Sequence, residues 1–212
     1  MIASGLKMTA VTVMAGGHPC TMSLRVVVGP MFAGKTSEIQ SVVRRYARLG
    51  KAVLVLTADI DNRYSTTAAI VNHDRTVTPA RAVPVAGGLL GVLEWEDFRA
   101  ATAVVVDEAQ FFADCLIPFV RSAVDTWDKH VVVVGLDSDA EQRPFGDVLA
   151  LMAHADSIEK KTALCLQCGD GTAAIFTRRL RPRVAVDGSD GPVEVGGADI
   201  YEPVCRRHFT VS

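Results

Sequence analysis

Three short stretches of this chain hold residues whose types and spacing could do chemistry. The first, GPMFAGKT at 29–36, fits the pattern G-x-x-x-x-G-K-[ST] in full. Gly29 and Gly34 allow a tight backbone turn, and the loop N–H groups with a following helix N-terminus hold phosphates. Pro30, Met31, Phe32 and Ala33 fill the loop, Lys35 would reach β- and γ-phosphates, and the Thr36 hydroxyl would ligate Mg²⁺. The competing reading is a chance match in a Gly-containing turn. Its place after a buried strand and before a helix argues against that.

The second, VVVDEAQFF at 104–112, puts Asp107 and Glu108 at the carboxyl end of a buried strand. Ligands of open α/β sheets bind at such ends. Asp107 is the expected Mg²⁺ partner, and Glu108, pointing the other way, can face an acceptor as general base. A solvated acidic turn is the plainer alternative, weakened by the phosphate loop upstream. The third stretch is split: CLQC (165–168) and CRRH (205–208). Cys165, Cys168, Cys205 and His208 suit tetrahedral Zn²⁺, and four protein ligands leave no open position, so the metal would be structural. A redox C-x-x-C with an unrelated Cys and His is the alternative. Such redox motifs open a helix near a βαβ unit, whereas this one lies in a turn-rich segment.

Positioning these groups needs a framework. LRVVVG (24–29), AVLVLT (52–57), AVVVD (103–107) and HVVVVGLD (130–137) read as buried strands. After the phosphate loop, Ile39, Val42, Val43, Tyr46 and Leu49 repeat at helical spacing, and Gly50 follows as a C′ residue. A second helix is expected over 115–128, with Leu116, Phe119, Val120, Ala123 and Trp127 on one face and Pro118 in its first turn. Apolar strands alternating with helices predict a parallel sheet covered on both faces, a P-loop, RecA-like α/β fold. Residues 58–88 are polar and read as a long mobile loop or hairpin. Past about 160 the composition turns to Cys pairs and Gly-rich turns, so the expected division is a flexible tail at 1–23, an α/β nucleotide-binding domain at 24–161 and a zinc-binding unit at 162–212.

Composition narrows the function classes. The chain has 212 residues, 49% of them hydrophobic, enough for an ordinary core. Lys+Arg 22 against Asp+Glu 24 offers no basic field for nucleic acid. No apolar run approaches the roughly 18–20 residues of a membrane span. Five cysteines, an odd number, do not make a secreted disulfide framework. The first residues match a signal peptide poorly, and a cytoplasmic location is expected.

Together these motifs resemble the zinc-containing, cellular-type (type II) thymidine kinases, over residues 24–209. GPMFAGKT is similar to that family's phosphate loop, with its unusual Met and Phe. DEAQFF resembles its acidic motif, in which the Glu takes the proton of the nucleoside 5′-OH; that implies Glu108 as the base and Asp107 and Gln110 beside the cofactor. NRYST and NHDR (62–66 and 72–75) resemble the phosphate-side loop, implying Asp61, Asn62 and Arg63 near the triphosphate. GLDSDAEQRPFG (135–146) resembles the segment running past the base, with Ala140 where many members carry an aromatic residue. VGGADIYEPVCRRH (195–208) resembles the nucleoside-covering lasso. There Pro192, Val193, Glu194, Val195 and Gly196, with Tyr201, would grip the thymine, and Met31 and Phe111 would form apolar walls. Pro192 and Glu194 stand where apolar residues are common, and His208 where the fourth ligand is often Cys. The resemblance implies ATP with Mg²⁺ as phosphoryl donor, thymidine and deoxyuridine as acceptors, a homotetramer and inhibition by thymidine triphosphate.

Two readings from other classes compete. GKT with DEAQ is also seen in nucleic-acid-dependent ATPases, which need two lobes and a basic strand-tracking surface. A nucleotide-gated zinc-ribbon module would bind ATP without nucleoside-dependent turnover.

Overall fold

A computed structural model of the protein describes residues 22–60, 67–71, 77–180 and 196–209. Its centre is a seven-stranded sheet built from β1 (Ser23–Val28), β2 (Val53–Asp59), β3 (Thr67–Val71), β4 (Val77–Pro84), β5 (Ala103–Val106), β6 (His130–Gly135) and β7 (Ser157–Lys160). The spatial order is β3-β4-β2-β5-β6-β1-β7. Every neighbouring pair is parallel except the edge pair β3–β4.

Because side chains alternate along a strand, all-apolar strands feed two cores at once. Leu24, Val26, Val28, Leu54, Leu56, Val104, Val106, Val131 and Val133 point to one face. There α2 (Gly88–Val92), α3 (Glu96–Ala100), α4 (Leu116–Arg121) and α5 (Val148–Leu151) cover them with Leu89, Phe98, Phe119 and Leu151. Val27, Val55, Val105, Val132 and Val134 face the other way, onto Ile39 and Val42 of α1 (Lys35–Arg48). A buried aliphatic side chain contributes about 1.5–3 kcal/mol, so the expected two-faced sheet is where the stability of this part resides. Helix α1 ends in a Schellman motif: Gly50, at φ +64°, donates to the Ala47 carbonyl, and Lys51 donates to that of Tyr46.

Departures from the sequence reading have local causes. The helix expected over 115–128 holds Leu116, Phe119, Val120 and Ala123 fully buried, but Ser122–Thr126 is a π-helical turn. Its extra residue carries the Trp127 N–H to the Ser122 carbonyl and moves the indole to the rim, 37% exposed against Phe98. Of the two readings for 58–88, the hairpin is found: β3 and β4 pair antiparallel, and β4 then runs parallel to β2. Strand β7 was not anticipated; SIEK is mostly exposed at a sheet edge and shows no apolar run. Strand β1 begins at Ser23, one residue before the expected boundary.

After Lys160 the chain leaves the sheet and forms two small ribbons. β8 (Ala163–Leu164) pairs with β9 (Ala173–Ala174), and β10 (Phe176–Arg179) pairs antiparallel with β11 (Tyr201–Val204). Their core is Ala163, Cys165, Ala174, Val204 and Cys205, and it packs directly on Ala33 of the phosphate loop.

Candidate active site

The phosphate loop joins β1 to α1, as its motif requires. Gly29 cannot be replaced there without a clash, because a Cβ would lie 2.4 Å from the Lys161 carbonyl oxygen. Lys35 donates its ammonium to the carbonyls of Gly29 (3.1 Å) and Pro30 (2.7 Å). Burial lowers its pKa, opposed by the negative charges of Glu108, Asp107 and Asp137 around it. The Met31 N–H donates to the Thr177 hydroxyl at 2.9 Å, so the loop is fastened to β10 of the second ribbon.

At the end of β5 the chain turns sharply. Glu108 lies in the left-handed region (φ 51°, ψ 39°), a conformation that costs a non-glycine residue on the order of 1–3 kcal/mol and gathers at functional sites. Asp107 is buried and accepts the Glu108 N–H on Oδ1 at 2.9 Å. Burial, and then the neighbouring charge of Glu108, push its carboxyl up to about 7. Gln110, also buried, donates Nε2 to Glu108 Oε2 at 2.6 Å.

A single cavity of about 440 Å³ runs from this phosphate end to the second ribbon. Met31, Lys35, Thr36, Asp107, Glu108, Gln110, Phe111, Ala140, Gly196 and Tyr201 all line it, so most of the expected site residues converge. Asp61, Asn62, Arg63, Pro192, Val193, Glu194 and Val195 lie outside the described residues. Gly29 and Pro30 stand behind the cavity wall, holding the lysine.

Several lining residues were not anticipated. Phe145 meets Phe111 edge-to-face at 5.4 Å and supplies aromatic surface on the loop where Ala140 has none. That loop is braced by Asp139, which accepts the N–H groups of Glu141 (2.9 Å) and Arg143 (2.8 Å). Thr177 and Arg179 enter from β10, and Arg179 donates to the Tyr201 hydroxyl at 3.0 Å. FTRR carries no alternation that would mark this pair; Thr177 and Arg179 share a face of β10 because they are two residues apart, which becomes meaningful only once its pairing with β11 is known.

Cys165, Cys168, Cys205 and His208 converge with all four ligand atoms within 4.8 Å of one another. His208 Nδ1 lies 3.6, 3.4 and 3.4 Å from the sulfurs of Cys165, Cys168 and Cys205, and the Cys168 and Cys205 sulfurs are 3.7 Å apart. A tetrahedron with bonds of about 2.0–2.3 Å has edges of roughly 3.3–3.8 Å, so the donor set fits a Zn²⁺-sized ion. Behind it, Arg178 pairs with buried Glu202 across the β10–β11 ribbon and donates to the His208 carbonyl at 2.7 Å. Gln167 donates to the other Glu202 oxygen at 2.9 Å.

A sequence model described as "Thymidine kinase" matches residues 22–209. A thymidine kinase of Oryza sativa subsp. japonica is 40% identical over 187 residues, 88% of this chain and 65% of the relative, so the chain spans about two thirds of that protein's length. A thymidine kinase of Deinococcus deserti is 34% identical over 213 residues, covering 93% of this chain and 96% of the relative. One from Bdellovibrio bacteriovorus is 36% identical over 189 residues, covering 88% and 84%. With phosphate loop, acidic pair and aromatic pocket on one cavity, the chain belongs to the thymidine kinase family, and thymidine phosphorylation is the activity that membership supports.

Proposed function

We propose that the protein transfers the γ-phosphoryl group of ATP, bound with Mg²⁺, to the 5′-hydroxyl of thymidine, and of deoxyuridine, to give the nucleoside monophosphate for nucleotide salvage and DNA precursor synthesis. The observation that carries this reading is the continuity of the cavity: phosphate loop, Glu108 and the Phe111–Phe145 wall line the same space.

In this reading the loop N–H groups and Lys35 hold the triphosphate. Lys35 exchanges its present carbonyl partners for phosphate oxygens, which relieves the cost of burying its charge. Glu108 removes the proton of the 5′-OH as that oxygen attacks phosphorus in line. The Thr36 hydroxyl and Asp107 would hold Mg²⁺, which when bound neutralises charge on the β- and γ-phosphate oxygens. The base lies between Met31, Phe111, Phe145 and Tyr201; the resemblance to the family adds Pro192, Val193, Glu194 and Val195, which lie outside the described residues. Positioning and charge neutralisation carry most of the rate.

The Cys165–Cys168–Cys205–His208 set would hold structural Zn²⁺, fastening both ends of the segment that carries Tyr201. The resemblance of the motifs implies a homotetramer and feedback inhibition by thymidine triphosphate, and the odd cysteine count with the poor signal-peptide match favours a cytoplasmic setting. No helix among the described residues is long and apolar enough to cross a membrane. The test is an assay supplying ATP–Mg²⁺ with each of the four deoxynucleosides. Thymidine monophosphate should form fastest; its absence, or nucleic-acid-stimulated ATP hydrolysis instead, would remove the proposal.

A further inference from the structure

We infer that Gln110 is a positioning residue for the general base: it clamps the Glu108 carboxylate against the end of β6 rather than serving the cofactor. The inference rests on the proposed role of Glu108.

Gln110 is 2% exposed, and its amide has two partners. Its Oε1 accepts the backbone N–H of Leu136 at 3.0 Å, while Nε2 donates to Glu108 Oε2 at 2.6 Å. The Leu136 N–H can only donate, so it fixes which end of the amide faces β6. The –NH₂ end is thereby forced toward Glu108, and one carboxylate oxygen is committed to it. Oε1 of Glu108 is left as the oxygen that meets the acceptor hydroxyl.

Glu108 needs such a brace. It sits in a strained left-handed conformation between β5 and the 3₁₀ turn Ala109–Phe111, where the backbone alone does not define its side chain. Gln110 lies two residues further along that turn and ties it to β6, the strand hydrogen-bonded beside β5. Gly135 closes the arrangement: a Cβ there would stand 2.8 Å from Gln110 Oε1. The nearest atom is the far end of the glutamine, so a side chain at 135 would displace the clamp.

The test is steady-state kinetics with ATP–Mg²⁺ and thymidine on Gln110→Met, Gly135→Ala, Glu108→Gln and the Glu108→Gln/Gln110→Met double variant, with a thermal melt of each. A misplaced reacting group can cost about 10²-fold, so Gln110→Met should lose ~10–100-fold in kcat with little change in either KM. Gly135→Ala should reproduce that loss while keeping the glutamine, which covers the case in which Gln110→Met, leaving the Leu136 N–H unpaired, fails to fold. In the Glu108→Gln background, Gln110→Met should cost almost nothing more, because there is no base left to position. Wild-type kcat in folded Gln110→Met, the same loss in both backgrounds, or a rise in the ATP KM as the main effect overturns the inference. Wild-type kcat in Glu108→Gln overturns the base assignment itself and takes this inference with it.

Discussion

The two ends of the cavity are supported by different physics. The phosphate end rests on the sheet: Val26, Val27, Val28, Ile39 and Val42 are all 1% exposed or less around the loop. The nucleoside end rests on two ribbons of two to four residues per strand, whose core is five small buried side chains packed on Ala33 of the phosphate loop. Burial of that size cannot hold such strands in place; isolated two-stranded ribbons are marginal at best. What the ribbons have instead is a Cys₃His cluster and, behind it, the Arg178–Glu202–Gln167 network. The comparison teaches that one cavity has a half held by hydrophobic burial and a half whose Cys/His cluster could hold a metal, so the two should fail under different insults.

The largest expected effect falls on the sheet side. Glu108→Gln retains shape but cannot accept the proton, so kcat should drop ~10²–10⁴-fold with nucleoside binding retained. Stopped-flow or radiometric turnover checks this, and an unchanged kcat would dismiss Glu108 as the base.

Next comes the brace of the ribbon. Arg178→Met leaves Glu202, 7% exposed, without its cation, whereas Arg178 itself is 24% exposed. Breaking a fully buried pair costs roughly 3–5 kcal/mol, and solvent access on the arginine side brings this case below that range. Thymidine KM should rise and the metal should leave faster to a chelator, while ATP KM stays near its wild-type value. Equal changes for both substrates would erase the distinction between the halves.

A smaller effect is expected at Asp107, and its sign follows from burial. The folded carboxyl is pushed up to about 7, well above its ordinary value, so the folded protein keeps a proton that the unfolded chain releases. The cost of ionising it is absent below the unfolded pKa, grows as pH rises, and is complete above about pH 7. Asp107→Asn should therefore raise the Tm of the ligand-free protein more at pH 8 than at pH 5. A gain that is larger at pH 5 would contradict the assigned environment. The smallest effect concerns the seam. Thr177→Val leaves the Met31 N–H without its acceptor, costing about 1–3 kcal/mol, and should raise both KM values modestly, since it alone among these changes touches both halves.

The sequence was most legible where chemistry is local. GPMFAGKT, DEAQFF and the paired Cys and His positions declare themselves because each function needs fixed residue types within a few positions. The buried strands were equally readable, since Val-rich runs leave no alternative to a sheet covered on both faces. What escaped depends on contacts set by register. β7 is mostly exposed and carries no apolar pattern, and Thr177 meets Met31 from β10, a strand placed by its pairing with β11. The Gln110–Leu136 contact needs β5 and β6 to be neighbours, which no spacing in the chain specifies. Phe145 was hidden for the same reason, beside an Ala140 that drew attention as a missing aromatic.

The division between a sheet-supported and a metal-supported half is tested most directly by removing the metal from the wild-type protein and titrating each substrate by calorimetry. Metal analysis before chelation should find one zinc per chain. After chelation the Kd for thymidine should rise on the order of 10–100-fold, the scale seen when support of a metal site is lost, while the Kd for ATP–Mg²⁺ changes far less. Cys168→Ser should behave like the chelated protein. Equal losses for both ligands, or a chain that carries no zinc and binds thymidine at full strength, would contradict the account.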